Sequence, residues 1–210
     1  MIYLNDDIAH FDWRAALPRL SEQRREQCLR FSHEQGRREC AAAYLLLREA
    51  LEREYGITEP PLFTYGEHGK PALTATTGSG DTIHFNLSHC RVAALCVVSN
   101  CPVGCDIETV RTARESLVRY TMNEAEQQRI TTAADPALEF TRLWTQKEAV
   151  LKLTGHGLQN DMKSVLEQLN GISVETVASP RGYVYSIASR CENTRYTRCE
   201  VRGTRYENTR

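Results

Sequence analysis

Apolar residues change their spacing several times along the chain, and each change marks an element. Ile2 to Leu4 is a short apolar run suited to a strand. From about Arg14 to Arg30 the spacing of Leu17, Leu20, Cys28 and Leu29 predicts a charged helix. A second helix is predicted from about Glu34 to Tyr55, through AAAYLLLREAL, with Gly56 as its stop. Pro60-Pro61, Gly66, Gly69 and Pro71 then break the chain into a short strand, Leu62 to Tyr65, and a loop. Thr82 to Leu87 and Val92 to Ser99 read as strands, the second a continuous apolar run that belongs inside a sheet.

After Cys101-Pro102 comes the strand VGCDIE, then helical segments near Thr112 to Tyr120 and Glu124 to Ile130, the latter with Asn123 as N-cap. Pro136 opens the longest clear helix, which runs to about Gly155. Three strand-like segments follow, Ile172 to Val177, Tyr183 to Ala188 and Tyr196 to Val201. Strands and helices mix without strict alternation, so the fold class is α+β.

The 26 basic residues nearly cancel the 27 acidic ones, so overall charge gives no reason to expect a nucleic-acid partner. No apolar run approaches the ~20 residues of a membrane span, and Asp6 and Asp7 stand where a leader would be basic and then apolar. A cytoplasmic protein with no membrane partner is expected. The eight cysteines contain no C-x-x-C pair, and free buried thiols are expected of them rather than a metal site. Only four basic residues are lysine, at 70, 147, 152 and 163, so a lysine here needs a reason.

Four segments carry candidate chemistry. In VGCDIE, strand alternation sends Val103, Cys105 and Ile107 to one face and Gly104, Asp106 and Glu108 to the other. Asp106 and Glu108 are either outward acids on a half-exposed strand or a pair that gains from a shared cation such as Mg²⁺. In the long helix, Phe140, Leu143, Trp144, Lys147, Val150, Leu151 and Thr154 share a face, with Glu148 and Lys152 together at its edge. That acid and base form a surface i,i+4 ion pair or a reactive pair. NLSHC places Ser88 and His89 at a strand end where a phosphate could be held; no Gly-x-Ser-x-Gly elbow surrounds Ser88, which argues against a serine hydrolase. HGKPAL is a turn that exposes Lys70, as an ordinary turn lysine or as a phosphate contact.

The order GKPAL, FNLSHC, VGCDIE, LWTQKEAVLKLTGHGL closely resembles the 4′-phosphopantetheinyl transferase superfamily, in its Sfp-like, surfactin-synthetase-activating branch. The resemblance spans about residues 66 to 158. It implies a monomer of two similar α+β subdomains related by pseudo-twofold symmetry, residues 1–100 and 101–210, with coenzyme A in the cleft between them. It implies that Asp106, Glu108 and Glu148 bind Mg²⁺, with Mn²⁺ as the alternative. Lys152 corresponds to a lysine on the coenzyme A phosphates. Lys70, Pro71, Ser88, His89 and Asp106 correspond to further coenzyme A contacts, and Arg38, in preference to Arg37, to an arginine near the 3′-phosphate.

The implied reaction moves the phosphopantetheine arm to a serine of an apo acyl or peptidyl carrier protein and releases 3′,5′-ADP. Glu148 would take the serine proton, directly or through water, and Lys152 would stabilise or protonate the leaving group. Lys147 has a place in the motif but no evident task. Cys105 stands where many members have a small aliphatic residue, which bears on packing. Seven arginines against three glutamates from Arg181 to Arg210 read either as a solvated, frayed terminus or as a surface that steers an acidic carrier. Two other readings compete, a binding-only relative of the transferases and an Mg²⁺-dependent phosphohydrolase that needs no acceptor.

Overall fold

The computed structural model describes residues 1–66, 70–74, 76–155 and 162–190, with the backbone of 198–200. Strand β1 (Ile2–Asn5) opens the chain, as its apolar run predicts. The expected long helix at 14–30 is instead interrupted. Helix α1 (Trp13–Ala16) gives way to a 3-10 turn at Leu17–Arg19, and α2 (Glu22–Arg30) starts afresh from the Ser21 N-cap. Pro18 has no N–H to continue a helix, and the Ser21 hydroxyl satisfies Arg24 N, so periodicity alone overestimated the element. Helix α3 (Glu34–Tyr55) has the expected bounds, closed by Gly56 at a φ of 68° that a side-chain-bearing residue resists.

Strands β2 (Phe63–Tyr65) and β3 (Pro71–Leu73) form a separate ribbon, and β4 (His84–His89), β5 (Ala94–Ser99) and β6 (Val103–Thr109) follow. Helices α4 (Glu115–Thr121), α5 (Glu124–Thr132) and α6 (Pro136–Thr154) come next. Asn123 caps α5 in a reciprocal box with Glu126. Then come β7 (Ser173–Ser179), β8 (Tyr183–Ser189) and β9 (Arg198–Glu200).

The larger sheets have the orders β4-β5-β1-β9 and β6-β8-β7. Strand alternation builds the layers. Tyr3, Phe85, Ala94, Cys96 and Val98 face α3 in one core, while Ile2, Leu4, Leu95 and Val97 face Val103, Cys105, Ile107, Tyr185 and Ile187 of the other sheet. On the far side of the second sheet α6 packs against β6 and β8. The order is therefore helix, sheet, sheet, helix, an α+β arrangement. Cys105 is fully buried between the sheets, where its identity affects packing.

Cys28, Cys40, Cys90, Cys96 and Cys105 are buried free thiols. Cys101 departs from the expectation of thiols throughout, because it is disulfide-bonded. No described helix is long and apolar enough to cross a membrane.

Candidate functional site

The two large sheets meet where β4 runs beside β6 without a backbone ladder. Two side chains of β4, two residues apart and so on one face, do the joining: Asn86 Oδ1 accepts from Cys105 N at 2.9 Å and Ser88 Oγ from Ile107 N at 3.3 Å. The Ser88 hydroxyl donates in turn to Asp106 Oδ1 at 2.8 Å and accepts from Lys152 Nζ at 3.1 Å. Its one donor and two lone pairs are all used. Ser88 is thus buried beneath the carboxylate rather than displayed at a strand end as expected.

Asp106, Glu108 and Gly104 share the face of β6 that looks at α6, the alternation read from sequence. Gly104 sets how near the helix comes. A Cβ there would lie 2.2 Å from Ala149 O and 2.3 Å from Leu153 N, so only glycine admits the α6 backbone. Glu148 and Lys152 each precede one of those two residues, and the close approach brings them over the β6 acids. Lys152 Nζ lies 2.6 Å from Asp106 Oδ1. Asp106 Oδ2 is buried and accepts no hydrogen bond.

The electrostatics follow from crowding. Burial and then the Asp106 charge push the Glu108 carboxyl above its ordinary range, and burial, Asp106 and Glu108 do the same to Glu148. Burial acts against the Lys152 ammonium, but Asp106, Cys105 and Glu148 outweigh it, and its pKa is raised. Among the described residues no group of three His, Cys, Asp or Glu side chains is arranged to enclose a metal ion. The charge that meets Asp106 in this arrangement is the ammonium of Lys152.

The other expected residues divide. Lys70 is half-buried, not exposed on its turn, and its Nζ donates to the carbonyls of Lys152 at 2.5 Å and Leu153 at 3.2 Å. It caps the C-terminus of α6, where carbonyls lack helical partners and favour a cation. Pro71 pairs with Tyr65 at the turn end of the β2–β3 ribbon. His68, Gly69 and Gly157 lie outside the described residues, as does most of the arginine-rich tail.

His89 Nδ1 is 3.5 Å from Glu39 Oε2 of α3, and burial holds its pKa below the ordinary range. Arg37 is committed elsewhere, donating to Phe31 O at 2.9 Å and stacking on Trp13. Arg38 pairs with Glu34 at 3.1 Å but keeps a buried Nε without an acceptor. What sets Arg38 apart is that buried, unpartnered Nε.

Sequence reasoning missed the Ser88–Asp106–Lys152 contact, the helix-capping bond of Lys70, and Glu126 as the partner, at 2.7 Å, of the Lys147 that periodicity places on the apolar face. The i,i+2 polar pair Asn86 and Ser88, alternating with the apolar Phe85 and Leu87, was the available signal for the first. The other two join segments far apart in the chain and leave no local pattern.

Comparison with known proteins gives the family. Residues 102–203 match the model of the 4′-phosphopantetheinyl transferase superfamily, a stretch that holds the β6 acids and α6. The chain is 30% identical over 165 residues to the 4′-phosphopantetheinyl transferase gsp of Aneurinibacillus migulanus, covering 69% of this chain and 67% of that one. It is 25% identical over 181 residues to the 4′-phosphopantetheinyl transferase Sfp of Bacillus subtilis, covering 83% and 79%. It is 37% identical over 124 residues to the 4′-phosphopantetheinyl transferase AcpT of Salmonella typhi, covering 54% and 59%. The chain belongs to the 4′-phosphopantetheinyl transferase superfamily, in its Sfp-like branch.

Proposed function

We propose that this protein transfers the 4′-phosphopantetheine arm of coenzyme A to a serine hydroxyl of an apo acyl or peptidyl carrier protein, releasing 3′,5′-ADP. It does so as a cytoplasmic monomer, with coenzyme A between the halves 1–100 and 101–210. Lys70, Pro71, His89 and Arg38 of the first half and Asp106 and Lys152 of the second contact coenzyme A, while Ser88, its hydroxyl fully engaged, holds Asp106 and Lys152 in place. The observation that carries the reading is the unpartnered, buried Asp106 Oδ2 beside Glu108, Glu148 and Lys152.

A buried carboxylate oxygen without a partner is costly and asks for a ligand. Three mutually repelling carboxylates provide the hard oxygen donors that Mg²⁺ or Mn²⁺ takes, so the donor chemistry of Asp106, Glu108 and Glu148 suits such an ion, although they do not enclose one as they stand. When bound, the ion supplies positive charge against the pyrophosphate, whose oxygens otherwise repel a nucleophile.

The chain's own residues do the rest. The serine oxygen forms a bond to the phosphorus that carries pantetheine, the P–O bond to the nucleotide breaks, and 3′,5′-ADP departs with the electron pair. Glu148, made more basic by burial and by its acidic neighbours, takes the serine proton. Lys152 has a raised pKa and so holds its proton at neutral pH. That favours a fixed positive charge on the departing phosphate over proton donation to it.

The test follows 3′,5′-ADP release from coenzyme A and Mg²⁺ with and without an apo carrier. Release that requires the carrier is expected. Release that proceeds equally without it would replace transfer by hydrolysis.

A further inference from the structure

Lys147 belongs to the same helical motif as Glu148 and Lys152, yet the proposed reaction gives it nothing to do. Its side chain is 0% exposed, and all three ammonium hydrogens have acceptors: Glu126 Oε2 at 2.7 Å, Thr121 O at 3.1 Å and Met162 O at 2.6 Å. Those acceptors come from the start of α5, the end of α4 and the segment after α6. Glu126 Oε2 also accepts from Asn123 N at 2.8 Å, and Asn123 Nδ2 reaches Glu167 Oε1 at 2.9 Å. One buried cation therefore ties three segments to α6 one residue before Glu148.

What those ties hold in place is a wall. Helix α4 is 7 residues long and, with the strand exit before it, lines a cavity of about 540 Å³ through Arg111, Arg114, Leu117 and Tyr120, with Phe140 of α6 opposite. A narrow cleft lined by Arg111, Leu117, Phe140 and Trp144 continues from there to Glu108. The space beside the acids thus depends on where α4 stands relative to α6.

Apolar contacts alone would serve for stability, since well-packed apolar replacements of a buried ion pair are often neutral or stabilising. A charge with three fixed acceptors gives direction instead. We propose that Lys147 and Glu126 form a positioning pair, which fixes α4 as the wall of the cavity leading to Glu108 and thereby sets the approach of the acceptor protein to Glu148. The kinetic part of this inference rests on the transferase reading; the placement of α4 does not.

Lys147→Met alone strands a buried carboxylate, so the informative variant is Lys147→Met with Glu126→Met, which removes both charges. Glu126→Gln, which keeps an acceptor for Lys147 and for Asn123 N, is the milder companion. Native-state hydrogen exchange followed by mass spectrometry reads α4 directly. The double variant is expected to exchange residues 115–121 about tenfold faster, with β6 and the centre of α6 unchanged, and Glu126→Gln less so. In the transfer assay the carrier KM is expected to rise about tenfold or more, while the coenzyme A Kd from calorimetry stays within about twofold.

Unchanged exchange over 115–121 in both variants overturns the positioning role. So does faster α4 exchange with an unaltered carrier KM, which would leave the pair merely structural. If the unmodified protein itself transfers nothing to a carrier, the transferase reading fails, and the exchange data still decide whether the pair holds α4.

Discussion

Lys152 Nζ stands 2.6 Å from Asp106 Oδ1, a contact between a helix and a strand 46 residues apart in the chain. It joins the base expected on coenzyme A phosphates to an acid expected on the metal. The ammonium serves as counter-charge for one oxygen of Asp106 while the other remains without a partner. Gly104, by admitting the α6 backbone, makes the contact possible, and Ser88 beneath it fixes both groups.

Lys152→Met is therefore expected to slow turnover by about 10²–10³-fold, the cost of losing one preorganised charge or donor at a transition state. Calorimetry should show a smaller loss of coenzyme A affinity. Turnover equal to that of the unaltered protein would remove Lys152 from the chemistry.

Glu148 carries a stability signature. Its folded-state pKa lies above the ordinary 4.5, so between those values the folded chain binds more protons than the unfolded one, and stability falls as pH rises through the window. Glu148→Gln should flatten that decline in a plot of Tm against pH and raise Tm near neutrality, while transfer falls about 10²–10⁴-fold. Mg²⁺ should raise the Tm of the unaltered protein more at pH 7 than at pH 5, because the ionised carboxylates bind it. A Tm equally indifferent to Mg²⁺ at both pH values would count against the carboxylates as its ligands.

Gly104→Ala places a methyl group against helix backbone that no side-chain rotation can relieve. A loss of about 1–3 kcal/mol in denaturant unfolding is expected, with reduced transfer as α6 is pushed away from β6. Full stability and full activity together would show that the close approach is not required.

Burial pushes the Cys28 thiol up to about 11 and the Cys105 thiol up to about 12. Because burial keeps a reagent from reaching them, Cys28, Cys40, Cys90, Cys96 and Cys105 should remain unlabelled by a thiol reagent at pH 8 until denaturant is added. Rapid labelling of all five in the folded protein would contradict the described core.

Much of the architecture was legible because its determinants are local. Gly56 and Gly155 end α3 and α6 at left-handed φ, Asn123 caps α5, and the alternation in VGCDIE assigns Asp106 and Glu108 to one face. The break between α1 and α2 was missed because leucine spacing outweighed Pro18 in the reading. Ser88, Lys70 and Lys147 were misjudged or left idle for a different reason. The partners of each lie at least 15 residues away in the chain, and strand or helix periodicity records which way a side chain points but not what folds against it.

The central claim is that this site moves phosphopantetheine to a protein serine. Intact-protein mass spectrometry of a panel of apo acyl and peptidyl carriers, incubated with this protein, coenzyme A and Mg²⁺ and with a chelator control, tests it most directly. The account expects a chelator-sensitive gain of one phosphopantetheine on at least one carrier, abolished by Asp106→Ala. No gain on any carrier, while calorimetry shows coenzyme A bound, would contradict it and leave a binding protein in place of a transferase.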